Sequence, residues 1–214
     1  MSLPVIAIDG PAASGKGTIA RRVAAALGFA HLDTGTLYRV VGLAVLKRGR
    51  DPTDVNAATE AVQALDLSLL EDPQLRAHDT GVAASQVAAI GAVREALLAF
   101  QRNFAANPPG GRGAVLDGRD IGTVICPTAT VKLFVTATSE VRAQRRFAEL
   151  QAQGSTRTKH DVLADIHARD ARDSGRAVAP LHQAADAHLL DTSHLDIEAA
   201  VARALEIIRA GLRT

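Results

Sequence analysis

Four apolar residues, Val5-Ile6-Ala7-Ile8, run into Asp9-Gly10-Pro11-Ala12-Ala13-Ser14-Gly15-Lys16-Gly17-Thr18, and an alanine-rich amphipathic stretch follows without a break. The order is strand, glycine loop, helix. A buried parallel strand that ends in such a turn aims consecutive backbone N–H groups and the positive end of a helix at one point, an arrangement suited to a polyphosphate. Gly10 and Gly15 stand where the chain must turn tightly or approach a ligand closely, and Pro11, Ala12, Ala13, Ser14 and Gly17 complete the cradle. Lys16 is expected to stand exposed on the loop, its charge meeting only the β- and γ-phosphates of a nucleotide such as ATP. Thr18 is the candidate hydroxyl for Mg²⁺. The spacing is G-x-x-x-x-G-K-G-T, with glycine where the commonest form carries Ser or Thr and the hydroxyl one residue later.

The rest of the composition narrows the class. At 214 residues the chain is expected to form a single domain with a modest insertion. A net charge of +1 lacks the basic footprint of a nucleic-acid binder, and 3% aromatic residues without Trp offer no stacking platform for single strands. No apolar run approaches the roughly 20 residues that span a bilayer, so a cytoplasmic protein without a membrane partner is expected. The lone Cys126 excludes an internal disulfide and reads as a small apolar residue. None of the histidines, His31, His78, His160, His167, His182, His188 and His194, falls at metal-ligand spacing, and all are read as structural or surface residues.

Periodicity predicts helices over 16–27, 37–49 and 55–65, a helical region from Ala83 that breaks near Gly91 and resumes over 92–106, and helices over 139–152, 158–173 and 197–210. Strands are predicted over 29–32, 67–70, 114–117, 131–135 and 187–191. Asn107-Pro108-Pro109-Gly110-Gly111 is the strongest breaker and introduces a functional loop. Strands alternating with helices predict an α/β fold of the P-loop type, a parallel sheet covered by helices on both faces, with ligands at the carboxyl ends of the strands.

A cradle alone fits kinases, GTPases, ATPases and shikimate-type enzymes equally. A guanine-reading Asn-Lys-x-Asp is missing, since the nearest string, Thr158-Lys159-His160-Asp161, lacks the Asn and opens a helix. More specific is Asp117-Gly118-Arg119-Asp120-Ile121-Gly122-Thr123 after a strand, together with Leu32-Asp33-Thr34-Gly35-Thr36-Leu37-Tyr38-Arg39, Ala84-Ser85-Gln86-Val87-Ala88, Val93-Arg94-Glu95-Ala96-Leu97 and the run from Arg169 to Leu181. In their order these strings resemble the bacterial cytidylate (CMP) kinases, nucleoside monophosphate kinases with a P-loop. The likeness extends from the first strand to the last helix.

The resemblance implies ATP as phosphoryl donor, CMP and dCMP as acceptors, and Mg²⁺; a monomer is expected. It also implies a role for each matching residue. Arg39, Arg94 and Arg119 would hold the acceptor phosphate, for which bidentate guanidinium contacts are suited. Cytosine differs from uracil by a C4 amine and an unprotonated N3, so a carboxylate beside an arginine selects it. The family implies Asp120 and Arg94 for that task, with Ser85 nearby. Thr34, Tyr38, Asp117, Arg169 and Asp173 complete the acceptor set.

Arg142, Arg145 and Arg146 recur at helical spacing, as do Arg169, Arg172 and Arg176. Two arginine rows facing phosphates are expected, with Arg145 on ATP and Arg119, Arg169, Arg172 and Arg176 beside Lys16 in catalysis. The competing reading is a solvated face neutralised by Glu149, Asp165, Asp170 and Asp173. Residues 150–176 are read as a lid that closes over the phosphates and excludes water. The nucleoside-monophosphate-binding insertion, at about 50–92, is shorter than in relatives, and its sheet part is expected to be reduced. Another small-molecule kinase with a different acceptor, or a non-catalytic nucleotide sensor, are the alternative readings.

Overall fold

The computed structural model describes residues 3–213. Its sheet has five strands: β1 (Val5–Asp9), β2 (Ala30–Asp33), β3 (Ala114–Gly118), β4 (Val131–Thr136) and β5 (His188–Asp191), in the order β2-β3-β1-β4-β5. β1 lies in the middle and runs parallel to both β3 and β4, which is why its residues read as a near-continuous apolar run. The fold is α/β of the P-loop type, as the strand and helix alternation predicts.

By its internal contacts the chain divides into two compact units. The first comprises residues 1–32 and 105–214, the second 33–104. In the first, Ile6, Ile8, Val115, Leu133, Val135 and Leu190 of the sheet pack with Ile19 and Val23 of α1 (Lys16–Leu27) and with Ala204 and Ile208 of the last helix, Ile197–Gly211. Gly28 ends α1 in the left-handed conformation, with φ 66°. The helices Ser139–Ala152 and Lys159–Gly175 pair through Ala143, Leu150, Val162 and Ile166, and Ala12 of the glycine loop joins that cluster.

The second unit is helical, with α2 (Thr34–Lys47), α3 (Val55–Gln63), α4 (His78–Val87) and most of α5 (Gly91–Ala106). It is wider at both ends than the insertion expected at 50–92. The remaining helices, in order, are α6 (Ser139–Ala152), α7 (Lys159–Gly175) and α8 (Ile197–Gly211).

One predicted strand is overturned. Leu67–Glu71 forms a 3-10 turn, followed by a second over Pro73–Arg76. The Asp66 side chain accepts hydrogen bonds from the Ser68 amide and hydroxyl at 3.0 and 2.6 Å, which closes the turn locally and leaves no extended edge to pair. The helix expected from Ala83 begins five residues earlier, at His78, and breaks over 88–90. No single helix among the described residues is long and apolar enough to cross a membrane.

Candidate functional site

The glycine loop leaves β1 at Gly10, whose φ is 153°. A Cβ there would come within 2.0 Å of the Val135 carbonyl oxygen, so only glycine lets the loop start so close to β4. Gly15, left-handed at φ 88°, is the N-cap of α1. Ser14 is fully buried beneath the loop, and its hydroxyl has no hydrogen-bond partner among the described residues. An orphaned donor inside a ring of backbone amides fits a phosphate oxygen.

Lys16 corrects the expectation of an exposed loop residue. It is the first residue of α1, only 9% exposed, and its Nζ donates to the Pro11 carbonyl at 3.2 Å. The loop folds back over the lysine stem, which buries the methylenes and brings the ammonium to the backbone five residues earlier.

The metal candidate Thr18 lies exposed in the first turn of α1. Asp117, near the end of β3, is buried and splits its two oxygens: Oδ1 lies 2.8 Å from His31 Nε2, and Oδ2 lies 3.6 Å from the place a Cβ on Gly17 would occupy. A hydroxyl and a carboxylate are hard oxygen donors of the kind Mg²⁺ takes while it keeps most of its waters, so these residue types fit the ion.

Arg145 is anchored against the loop. Its guanidinium donates to the Ser14 carbonyl at 3.4 Å, to Thr192 Oγ1 at 3.0 Å and to the Thr192 carbonyl at 2.7 Å. The other members of its row do not face a ligand, contrary to expectation. Arg142 is buried in a two-pronged ion pair with Asp170, at 3.0 and 2.6 Å, and also donates to the Ala137 and Ala12 carbonyls. Arg146 pairs with Glu149 at 3.0 Å. A helix face that packs on a neighbouring helix turns part of its arginine row inward, where carboxylates and carbonyls satisfy it.

The second row has a different surrounding. Asp173 on α7 is buried and receives Arg119 Nε at 2.7 Å. Burial works to raise its carboxyl, but the charges of Arg119, Arg169 and Arg176 and the hydrogen bond from Arg119 outweigh it and hold the group below the usual carboxylate value. Arg176 does not continue the helical row. It follows the end of α7 in an extended conformation, 9% exposed, and donates to the Ala179 carbonyl at 2.8 Å. Arg169 and Arg172 lie half-buried on α7 itself. Between α6 and α7, Thr158 and Asp161 form a reciprocal cap, and Arg157 pairs with Asp165 at 2.5 Å.

Arg119 and Asp120 leave β3 together. Asp120 is 4% exposed and precedes a one-turn π-helix, Ile121–Ile125, a rare form that concentrates at functional sites. Its carbonyl accepts from the Val124 and Ile125 amides at 2.9 and 3.1 Å.

The acceptor candidates of the second unit form a group of their own. Asp33 caps α2 by accepting from the Thr36 amide, and Thr34 is buried at the helix start. Tyr38 belongs to the core of that unit, and the Arg94 guanidinium lies 5.5 Å from its ring centroid, within reach of a cation–π contact. Arg94 also donates to the Ala88 carbonyl at 3.2 Å. Ser85 is buried on α4. Arg39 donates to the Leu75 carbonyl at 2.9 Å and to that of Ala77 at 3.4 Å, so it secures the turn between the 3-10 segment and α4.

Two residues that the motifs did not single out touch these groups. His31 holds Asp117. Asp9 accepts the Ile121 amide at 2.8 Å and the Gly122 amide at 2.7 Å. The available signal for Asp9 was a carboxylate at the inner end of an otherwise apolar strand.

Comparison with known proteins decides the family. The cytidylate kinase family model matches residues 6–210. The chain belongs to the cytidylate kinase family. A cytidylate kinase from Rhodospirillum rubrum is 60% identical over 205 residues, covering 95% of this chain and 96% of that protein. Another, from Bradyrhizobium, is 57% identical over 206 residues, with 96% of each chain covered. Among solved structures, an uncharacterized protein from Eubacterium ventriosum superposes with a TM-score of 0.56 at 12% identity, over 97% of this chain and 99% of that one, a likeness of fold alone. For a cytidylate kinase family member, a cradle at Gly10–Thr18 and arginines gathered on Asp173 are the parts of a phosphotransferase.

Proposed function

We propose that the chain transfers the γ-phosphoryl group of ATP to CMP, and to dCMP, giving ADP and the nucleoside diphosphate, as a cytoplasmic monomer with no nucleic-acid or membrane partner. Its relatives' activity supports the reaction class. The observation that carries the reading is the grouping, within one unit, of the glycine loop, its buried Lys16, and Arg119, Arg169 and Arg176 around Asp173.

In the reaction an acceptor phosphate oxygen attacks the γ-phosphorus and the bond to the bridging oxygen of ADP breaks. Such a transfer depends on positioning and charge neutralisation more than on a catalytic base. The amides of Gly10–Thr18 and the Ser14 hydroxyl bind the β- and γ-phosphates, and Lys16, already turned into the loop, supplies a fixed positive charge. Thr18 and Asp117 are the residues suited to hold Mg²⁺, which when bound would neutralise phosphate charge. Arg119, Arg169, Arg172 and Arg176 meet the charge spread over the transferring group, and Arg145 holds the loop from α6. Toward the acceptor, the first unit supplies Arg119 and Asp173 for phosphate and sugar and Asp120 to accept from the cytosine amine, and the second unit supplies Thr34, Tyr38, Arg39, Ser85 and Arg94, each in the role that the family resemblance gives it.

A panel of CMP, dCMP, UMP, AMP and GMP with ATP and Mg²⁺ tests the reading. CMP and dCMP are expected to have the highest kcat/KM. Faster phosphorylation of a purine monophosphate, or turnover of none, overturns it.

A further inference from the structure

Asp9 opens the glycine-loop string but is not part of the cradle assigned to phosphate, yet it joins the two halves of the chemistry. It is the last residue of β1, 5% exposed, and Gly10 follows it directly. Each carboxylate oxygen receives one backbone amide from the π-helical turn, Ile121 on Oδ1 and Gly122 on Oδ2, across more than a hundred residues of sequence. These two amides come immediately after Arg119 and Asp120. A Cβ on Gly122 would stand 3.0 Å from a Lys132 methylene and at an ordinary contact distance, 3.4 Å, from Asp9 Oδ2. Asp120 repels the Asp9 carboxylate while Lys16 attracts it, so its charge stands between those two groups.

We propose that Asp9 is a positioning residue for the acceptor loop: its carboxylate locks the Ile121 and Gly122 amides to the strand that carries the phosphate loop, and so sets where Arg119 and Asp120 stand. A carboxylate that accepts two short amide bonds in a buried place holds backbone more firmly than a neutral acceptor would. β1 is the middle strand of the sheet, bonded on both sides, so the anchor itself is rigid. The consequence is asymmetric. The phosphate loop keeps its own glycine turns without Asp9, whereas the pairing of β3 with β1 runs only to Gly118, and these two amide bonds carry the attachment to β1 past Arg119 and Asp120. The selectivity part of the proposal rests on the reading of Asp120 as the base-reading carboxylate.

The test uses Asp9→Asn, which preserves shape but turns an NH₂ group toward one of the two amides, and Asp9→Ala, which removes both acceptor oxygens. For both variants the KM for CMP is expected to rise at least tenfold and the CMP:UMP preference to fall at least fivefold. The Kd for ATP from equilibrium titration should stay within threefold, and exchange at the Ile121 and Gly122 amides should accelerate at least tenfold. A KM for CMP within twofold of the parent, or an ATP affinity that falls as far as the CMP affinity, overturns the proposal, because a general structural defect would weaken both. Asp120→Ala run alongside separates the two claims. If it leaves the CMP:UMP ratio unchanged, the base-reading role of Asp120 is wrong, and Asp9 is judged on KM and amide exchange alone.

Discussion

Replacing Asp173 by Ala removes the negative charge around which three arginines are gathered. The wild-type carboxylate is 4% exposed, and Arg119 Nε reaches it at 2.7 Å, with the Arg119 side chain 15% exposed. Breaking a buried pair by deleting one partner costs roughly 3–5 kcal/mol. Arg119 keeps a bond to the Gly118 carbonyl at 3.3 Å and some contact with water, which favours the low end, about 3 kcal/mol. At roughly 2–4 °C per kcal/mol for a chain of this size, Tm should fall by about 6–12 °C in calorimetry at pH 7. The pH dependence identifies the cause. Because the folded-state carboxyl is held below its usual value of 3.8, its stabilisation is present above that pH and disappears as pH falls through the lower folded value. The difference in Tm between wild type and variant should therefore be constant from pH 8 to about pH 4 and shrink below it. A Tm loss under about 2 °C, or a difference that already closes between pH 7 and 5, refutes the reasoning. Turnover of CMP should fall as well, since Arg119 is released from its place.

Lys16→Ala should reduce kcat/KM by on the order of 10³, about 4 kcal/mol of transition-state stabilisation, and a variant with a tenth of wild-type activity would refute the cradle assignment. Asp120→Ala should lower kcat/KM for CMP more than for UMP, because uracil has no amine to donate to the lost carboxylate, and equal losses for both acceptors would remove it from base recognition. Arg172→Ala and Arg176→Ala should each leave ATP affinity within about threefold while single-turnover rates fall by roughly 10², and no change in either quantity would remove both arginines from the transfer step. Asp9 provides a pH test of stability. Burial outweighs its amide bonds and lifts its carboxyl from 3.8 to about 6. The folded state thus binds this proton more tightly than the unfolded chain, and wild type should lose up to about 3 kcal/mol relative to Asp9→Asn as pH rises from about 4 to 7. A difference between the two unfolding free energies that stays flat over that range would contradict it.

The glycine loop was legible because it obeys a local rule: a turn that approaches β4 within contact distance admits only Gly10, and the amides that follow have no other obvious partner. The helix ends were legible for the same reason, with Gly28 ending α1 and Asp33 and Thr158 at N-caps. Leu67–Leu70 misled because a run of alternating leucines resembles a strand until the Asp66 cap is seen to close it into a 3-10 turn. Arginine spacing misled in a different way. Spacing of three and four places side chains on one face but says nothing of what that face meets, and for Arg142 it met Asp170 and two carbonyls in the protein interior. Lys16 was correctly placed in sequence but not in space, since only the fold of the loop turns its ammonium toward Pro11. The roles of His31 and Asp9 escaped notice because their partners are distant in sequence, Asp117 on β3 and the Ile121 and Gly122 amides of the turn that follows it. Pairing between parallel strands is set by the sheet order, which no local pattern records.

That sheet order also bears on why so many carboxylates lie among the arginines of a site read as binding anions. Guanidinium groups repel one another, and before any phosphate arrives they would swing into water and lose the geometry that transfer needs. Asp173 prevents this for Arg119, Arg169 and Arg176, much as Asp170 does permanently for Arg142. The two cases differ in what else holds the arginine. Arg142 is fixed by two backbone carbonyls besides its own carboxylate, whereas Arg119 donates to the carboxylate whose charge also acts on Arg169 and Arg176. On the proposed reading, an incoming phosphate therefore competes with Asp173 for Arg119 and leaves Arg142 untouched.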